Sequence, residues 1–400
     1  MTKLVFLPRG NPVQRDFMRP PLLIATILFP VAAAAAAPPC GADLCVGPAY
    51  SLQRPSDAAR VARDGQTIAI TAGTYAGDVA VWTQNGLTLR GVGGRAHMRA
   101  DGRAAANKGI WVIKGNDTTV ENIEFSGARV PDANGAGIRL DGLRLNVRYC
   151  YFHDNETGIL TNDDPANEVL VEYSEFARSG GASRNPHGIY IGRIARFTLR
   201  ASYLHHARVG HNLKSRAKTS YILYNRIMDE ADGKSSYVLD LPDGGVAYVI
   251  GNLLEKGPNA ETPTVVAYGE EGYKYADNAL FFVHNTAVND GLGASIFVHA
   301  APGAQKVHLV NNLFIGRGDL PQIQMDGSNV RASHDILFQP AGYDYRPRAG
   351  TPAVAAGRDA GSGLGVDLNA RWQYLHPTAL APRTESSKPD AGALQHAPPR

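Results

Sequence analysis

The stretch "GHNLKSRA" (210–217) sets an imidazole, an amide, an ammonium and a guanidinium within six residues: His211, Asn212, Lys214 and Arg216. "HGIYIG" (187–192) adds His187 and Tyr190, "LHHAR" (204–208) adds His206, and "LDLPDGG" (239–245) adds Asp240 and Asp243. Such a set suits removal of a proton beside a carboxylate, followed by expulsion of an oxygen leaving group. Arg216 is expected to clamp the carboxylate and neutralise the charge that develops on it. The base is expected to be Lys214 or His211, with the lysine pKa lowered by neighbouring cations and partial burial. Tyr190 or His187 would return a proton to the leaving oxygen, and Asp240 would orient Lys214. His187, Asn212, His206 and Asp243 are the expected substrate contacts. The plainer alternative is an exposed ion pair between Lys214 and Asp240, a common and energetically minor feature.

A repeat supplies the framework for these residues. One pattern, apolar–x–x–small or amide–x–apolar, recurs in "VENIEF" (with Ile in the amide column), "VRYCYF", "VEYSEF", "LRASYL", "ILYNRI", "VIGNLL", "FVHNTA" and "LVNNLF". These end at Phe125, Phe152, Phe176, Leu204, Ile227, Leu254, Ala287 and Phe314, at intervals of 27, 24, 28, 23, 27, 33 and 27 residues. The spacing is short for a βαβ unit of about 30 residues or more and suits one turn of a β-solenoid. Each coil carries a second strand downstream, among them "GIRL" (137–140), "GILT" (158–161), "GIYI" (188–191), "YVLDL" (237–241), "TVVAY" (264–268) and "SIFVH" (295–299). The column Cys150, Ser174, Ser202, Asn225, Asn252, Asn285 and Asn312 is expected to stack at about 4.8 Å per coil and to form a hydrogen-bonded ladder.

Strand alternation then gives "GHNLKSRA" two faces. His211, Leu213, Ser215 and Ala217 are expected inside, and Asn212, Lys214 and Arg216 outside, because the opposite parity buries unpaired charge. Aligning Ile191, Leu213 and Leu239 as inward residues stacks Tyr190 on Asn212, and Gly192 on Lys214 on Asp240.

"DGQTIAITAGTY" (64–75), "NGLTLRGVGG" (85–94), "RAGTPAVAAG" (348–357) and "PDAGALQ" (389–395) carry a further signal. Between Val46 and Gln395 the chain resembles the right-handed parallel β-helix proteins of the pectate-lyase-like superfamily. The resemblance implies an all-β, single-domain solenoid of about ten coils. It also implies activity on polysaccharide, although members include lyases, hydrolases, epimerases and non-catalytic proteins. Lyases of the superfamily often use Lys or Arg as base on this face, some with Ca²⁺. "KSR" matches no member's catalytic signature closely enough to transfer roles. The expectation is a lyase acting by β-elimination on a uronic-acid-containing polysaccharide. The alternatives are a glycoside hydrolase, a uronate epimerase or a non-catalytic glycan-binding protein. A hydrolase needs two carboxyls flanking the bond; "TNDDPANE" (161–168) offers Asp163 and Asp164, which are also expected to form a turn or to bind Ca²⁺.

Residues 1–37 read as a signal peptide: Lys3, Arg9, Arg15 and Arg19 precede an apolar, then Ala-rich run. Export to the periplasm or beyond, in a bacterium, follows from that reading, with no lasting membrane insertion. The segment holds four bases and one acid of the chain's 40 and 37, which leaves 36 of each after its removal. A near-neutral mature chain disfavours a nucleic-acid partner, and a monomer is expected. Cys40 and Cys45 are expected to pair in an oxidising compartment, and Cys150 to be a buried thiol. Zinc is not expected, because no Cys or His pair has ligand spacing. Residues 38–380 are expected to form the β-helix, with 381–400 mostly a closing stub and a disordered tail.

Overall fold

The computed structural model describes residues 40–181, 186–320, 323 and 325–396; the predicted signal segment lies outside them. The fold is a right-handed parallel β-helix. Each coil gives one strand to a ten-stranded parallel sheet that runs from Ala80–Trp82 through His187–Ile191, His211–Ser215 and Leu239–Leu241 to Gly318–Asp319. Two further strands per coil form two other columns. Thr88–Arg99 joins these columns at the start of the solenoid by pairing with both Thr118–Glu121 and Ile123–Ser126.

The repeat positions are stacked in register. Phe125 pairs with Phe152, then Phe176, Leu204, Ile227, Leu254, Ala287 and Phe314 in turn. The first three rings stack 4.9 and 4.6 Å apart inside the core.

The small-residue column forms the expected ladder. Each backbone N–H donates to the side chain one coil on: Cys150 to Ser174 at 3.1 Å, Ser202 to Asn225 at 2.9 Å, Asn252 to Asn285 at 2.9 Å. The series ends one coil later than the sequence suggested, with Asn312 N–H on Asn329 Oδ1 at 3.0 Å. The asparagine Nδ2 groups also donate to carbonyls of the preceding coil, as Asn252 does to Ile222 O at 2.7 Å. This bonding explains an unusual backbone. The residue just before each ladder position (Tyr149, Tyr173, Ala201, Tyr224, Gly251, His284, Asn311) is left-handed, with φ between 50 and 70°. A non-glycine residue there costs about 1–2 kcal/mol, which the ladder bonds offset.

The ends and outer faces are closed by other segments. A short helix, Pro55–Val61, buries Ala58 and Ala59 against the first coils. Cys40 and Cys45 are disulfide-bonded, with Cα atoms 5.9 Å apart. Cys150 is fully buried, and burial pushes its thiol up to about 12. The C-terminal region lies over the outer surfaces of the two other strand columns. Leu337 and Tyr345 cover Leu313 and Ile315, and Leu368 covers Phe281 and Val310. Within 381–396, the segment around Asp390–Ala393 packs onto this body. Ala391 and Ala393 are fully buried, and Arg383 donates to Gly392 O and Ala393 O at 3.1 and 2.7 Å. Neither of these outer hydrophobic clusters includes a residue of the ten-stranded sheet.

Candidate active site

The site lies on the middle strands of the ten-stranded sheet, and its shape begins with three glycines. Gly137, Gly158 and Gly188 precede the inward Ile138, Ile159 and Ile189 of successive strands. A Cβ at Gly137 would meet the Phe152 ring at 2.7 Å, and one at Gly158 the Phe176 ring at 2.6 Å. The aromatic stack stops at Phe176, where Leu204 and Ile227 follow. The next residue in the glycine column is Asn212, and its side chain fits there: it is buried, with Nδ2 donating to buried Asp229 Oδ1 at 3.1 Å. Simple alternation had placed Asn212 outside and His211 inside. Asn212 and Leu213 instead both face the interior, so His211 turns outward and Asn212 is no substrate contact.

The register also differs by two residues from the alignment on Ile191. Ile189 pairs with Leu213, which puts Tyr190, not Gly192, beside Lys214. Ile189 and Ile191 are both buried core residues, so apolarity alone could not choose between them. Lys214 sits beside Asp240 and Leu213 beside Leu239, as expected.

Six charged side chains then lock together. Lys214 Nζ lies 3.1 Å from Asp240 Oδ2 and 2.9 Å from Glu271 Oε1. Arg216 donates from Nη2 to Glu271 Oε2 at 2.6 Å, from Nη1 to Asp243 Oδ1 at 2.5 Å and from Nε to the Tyr190 phenol oxygen at 3.0 Å. Arg193 Nε holds the other Asp243 oxygen at 2.7 Å. Asp243 is fully buried and anchors two arginines.

The imidazoles are held by backbone amides. His187 Nδ1 accepts from His211 N–H at 3.1 Å, and His211 Nδ1 accepts from Tyr237 N–H at 3.2 Å. The rings of His187, His211 and Tyr237 stack 4.8 and 4.9 Å apart on successive coils. His211 Nε2 lies 3.3 Å from Asp240 Oδ2, so both of its nitrogens are engaged.

Burial and charge set the protonation states. Burial, then Lys214 and Lys256, push His211 down to about 3, and burial drives His187 well below its ordinary value. Both imidazoles are neutral at pH 7. Burial raises Asp240 to about 6, with Lys214 opposing, and no donor among the described residues reaches its buried Oδ1. Burial also works against the Lys214 charge, but Asp240 and Glu271 outweigh it and its pKa rises. The expected lowering fails because two carboxylates flank the ammonium. Lys214 is therefore a fixed cation, and neither it nor His211 is available as a base in this arrangement.

Tyr190 and His187, the expected proton donors to the leaving oxygen, both border the cleft. Lys214 Nζ and Arg216 Cζ each lie 5.9 Å from the Tyr190 ring centre, on adjoining coils. The cleft, about 430 Å³, is bordered by Arg139, Asp163, His187, Tyr190, Lys214 and Arg216. His206 is elsewhere: it pairs with Asp232 at 3.1 Å and lines no part of the cleft. No motif or periodicity marks Glu271, Arg193 or Arg139. Glu271 follows the Thr264–Tyr268 strand in a turn, and its "GEEG" context resembles any solvated loop.

The carboxylates do not form a Ca²⁺ set. Asp163 is held by Arg193, Asp240 by Lys214, Asp243 by two arginines, and Glu271 by Lys214 and Arg216. Asp164 caps a turn by accepting Ala166 N–H at 2.9 Å. Of the carboxyls considered for a hydrolase, Asp163, Asp240 and Asp243 are each paired with a cation.

The architecture is that of a pectate-lyase-like parallel β-helix. The structure of pectate lyase Pel9A superposes on it with a TM-score of 0.59 at 13% identity, over 86% of this chain and 90% of that one. No protein-family model and no curated protein sequence matches the chain.

Proposed function

We propose that the protein is an exported, monomeric lyase that cleaves a uronic-acid-containing polysaccharide by β-elimination at the Tyr190–Lys214–Arg216 cleft. Glu271 carries this reading. Its carboxylate bridges Lys214 and Arg216 through separate oxygens, at 2.9 and 2.6 Å, and its side chain is 48% exposed. A uronate carboxylate offers the same two oxygens and can take the same place once Glu271 swings aside. The sugar ring attached to it then lies over Tyr190.

The chemistry requires an acidified proton at C5 and a base beside it. Lys214 and Arg216 neutralise the carboxylate as enolate-like charge develops. The Arg216 Nε–H donates to the phenol oxygen at 3.0 Å and fixes its position over the cleft. Tyr190 takes the C5 proton on its phenol oxygen. The electron pair left behind forms the C4–C5 double bond, the C4–O bond breaks, and Tyr190 passes its proton to the departing oxygen. Asp240 and Asp243 touch no substrate; they position the two cations.

The test is a panel of uronate polysaccharides assayed for unsaturated ends by ultraviolet absorbance, with Tyr190→Phe, Lys214→Ala and Arg216→Ala alongside. Unsaturated product from the parent and none from Tyr190→Phe supports the mechanism. Reducing ends without unsaturation would indicate a hydrolase, C5 inversion without cleavage an epimerase, and binding without product a glycan-binding scaffold. Each of these outcomes overturns the lyase reading.

A further inference from the structure

A second group of side chains lies on a different strand column and takes no part in the cleft. We propose that His97, Glu124 and His153 form a binding site for a borderline divalent transition metal, with Zn²⁺ the best match. They come from the strands Thr88–Arg99, Ile123–Ser126 and Tyr151–His153, which stack on three successive coils. His97 and Glu124 are paired in register, and His153 sits two residues further along its strand beside Ser126.

The geometry fits one ion. Zn–N and Zn–O bonds of about 2.0–2.1 Å place the ligand atoms of a tetrahedral site about 3.3 Å apart. Glu124 Oε1 lies 3.5 Å from His97 Nε2 and 3.0 Å from His153 Nε2, and the three ligand atoms fall within 4.8 Å of one another. The side chains are 17–24% exposed, so an ion would keep access to solvent.

An outer layer of partners is already present. His153 Nδ1 lies 2.8 Å from Asp154 Oδ2, which leaves Nε2 aimed at Glu124. Asp154 is fixed in turn by Arg178, at 2.8 Å, and Arg208. A carboxylate on the far nitrogen of a ligating histidine orients the ring and raises its basicity. His97 Nε2 at present contacts Ser126 Oγ at 2.6 Å, a bond the metal would displace.

The location has a structural sense. The side-chain ladder begins only at Cys150, and the preceding coil has Ile123 in that column. An ion bridging residues 97, 124 and 153 would pin the coils that lack the ladder. A second histidine group, His205, His206 and Glu230, is a natural control. Its two Nδ1 atoms are 2.5 Å apart, closer than the roughly 3 Å between two ligands of one ion.

The experiment is calorimetric titration of the chelator-treated full chain with Zn²⁺, with Co²⁺ absorption and thermal unfolding in parallel. The parent is expected to bind Zn²⁺ stoichiometrically, to give the intense visible bands of tetrahedral Co²⁺, and to melt at higher temperature with Zn²⁺. His97→Ala and His153→Ala are expected to abolish all three effects, and His206→Ala to change none. Asp154→Asn, which keeps every ligand, should weaken binding about 10-fold and serves if an alanine variant does not fold. No binding by the parent, binding that survives both alanine variants, or binding lost with His206→Ala overturns the proposal.

Discussion

The side-chain ladder and the cleft are made by the same operation, the stacking of residues coil upon coil, yet they differ in what is stacked. In the ladder the partners are alike. Asn225, Asn252, Asn285 and Asn312 each accept from one neighbour and donate to the other, and all are fully buried. In the cleft the partners are unlike: Tyr190 lies on Lys214, which lies on Asp240. The ladder is satisfied by its own repetition. The cleft is not: it leaves Asp240 Oδ1 buried without a donor and needs Glu271 from outside the stack to complete it. Repetition of like polar groups stabilises the fold, whereas a break in repetition exposes groups able to act on something else.

Substitutions can break this contrast in order of expected effect. Tyr190→Phe removes the proposed proton carrier and should lower kcat about 10³-fold or more, with an unchanged melting temperature. A variant that keeps its activity would sink the role given to Tyr190.

Asn252→Ala should do the reverse. It removes the acceptor for Asn225 and the donor to Ile222 O in a dry interior. The expected loss is about 3 kcal/mol of stability, read by chemical denaturation, with unchanged kcat in the folded fraction.

Asp240 gives a pH signature. Its folded pKa, about 6, is raised above the ordinary carboxylate value. The folded state therefore binds the extra proton, and stability falls as pH rises from about 4 to 6, by roughly 3 kcal/mol for this group. Asp240→Asn should remove that slope in denaturation curves taken across the window. An unchanged slope would assign it to another group.

The smallest effect concerns Glu271. Glu271→Ala frees Lys214 and Arg216 for a substrate carboxylate, so KM should fall about 5-fold (roughly 1 kcal/mol) with little change in kcat. A rise in KM would make Glu271 a substrate contact rather than a stand-in.

Much of the scaffold was legible from the chain. The series predicts each stacking partner from Phe125 to Phe314, because a core position and, from Phe152 on, a ladder position recur together. Coils before Phe125 lack the ladder residue, so Ala80–Trp82 and Gly109–Ile113 gave no such signal. The site was legible as a set of residue types and less so as geometry. Two isoleucines of equal apolarity left the register open, and Asn212 broke alternation because the ring stack beneath it had ended. Glu271 lies 57 residues from Lys214, on a loop that no periodicity governs. Zinc was set aside on spacing within one segment. In a solenoid the relevant spacing is one coil, and His97 and His153 are two coils apart.

The ladder also has a direction. In every rung the main-chain N–H of one coil is met by a side chain of the next, from Cys150 through to Asn329. A chain emerging from its amino end thus leaves only its newest rung open, and the following coil closes it. Assembly can keep pace with synthesis, with the same small exposed penalty at each step.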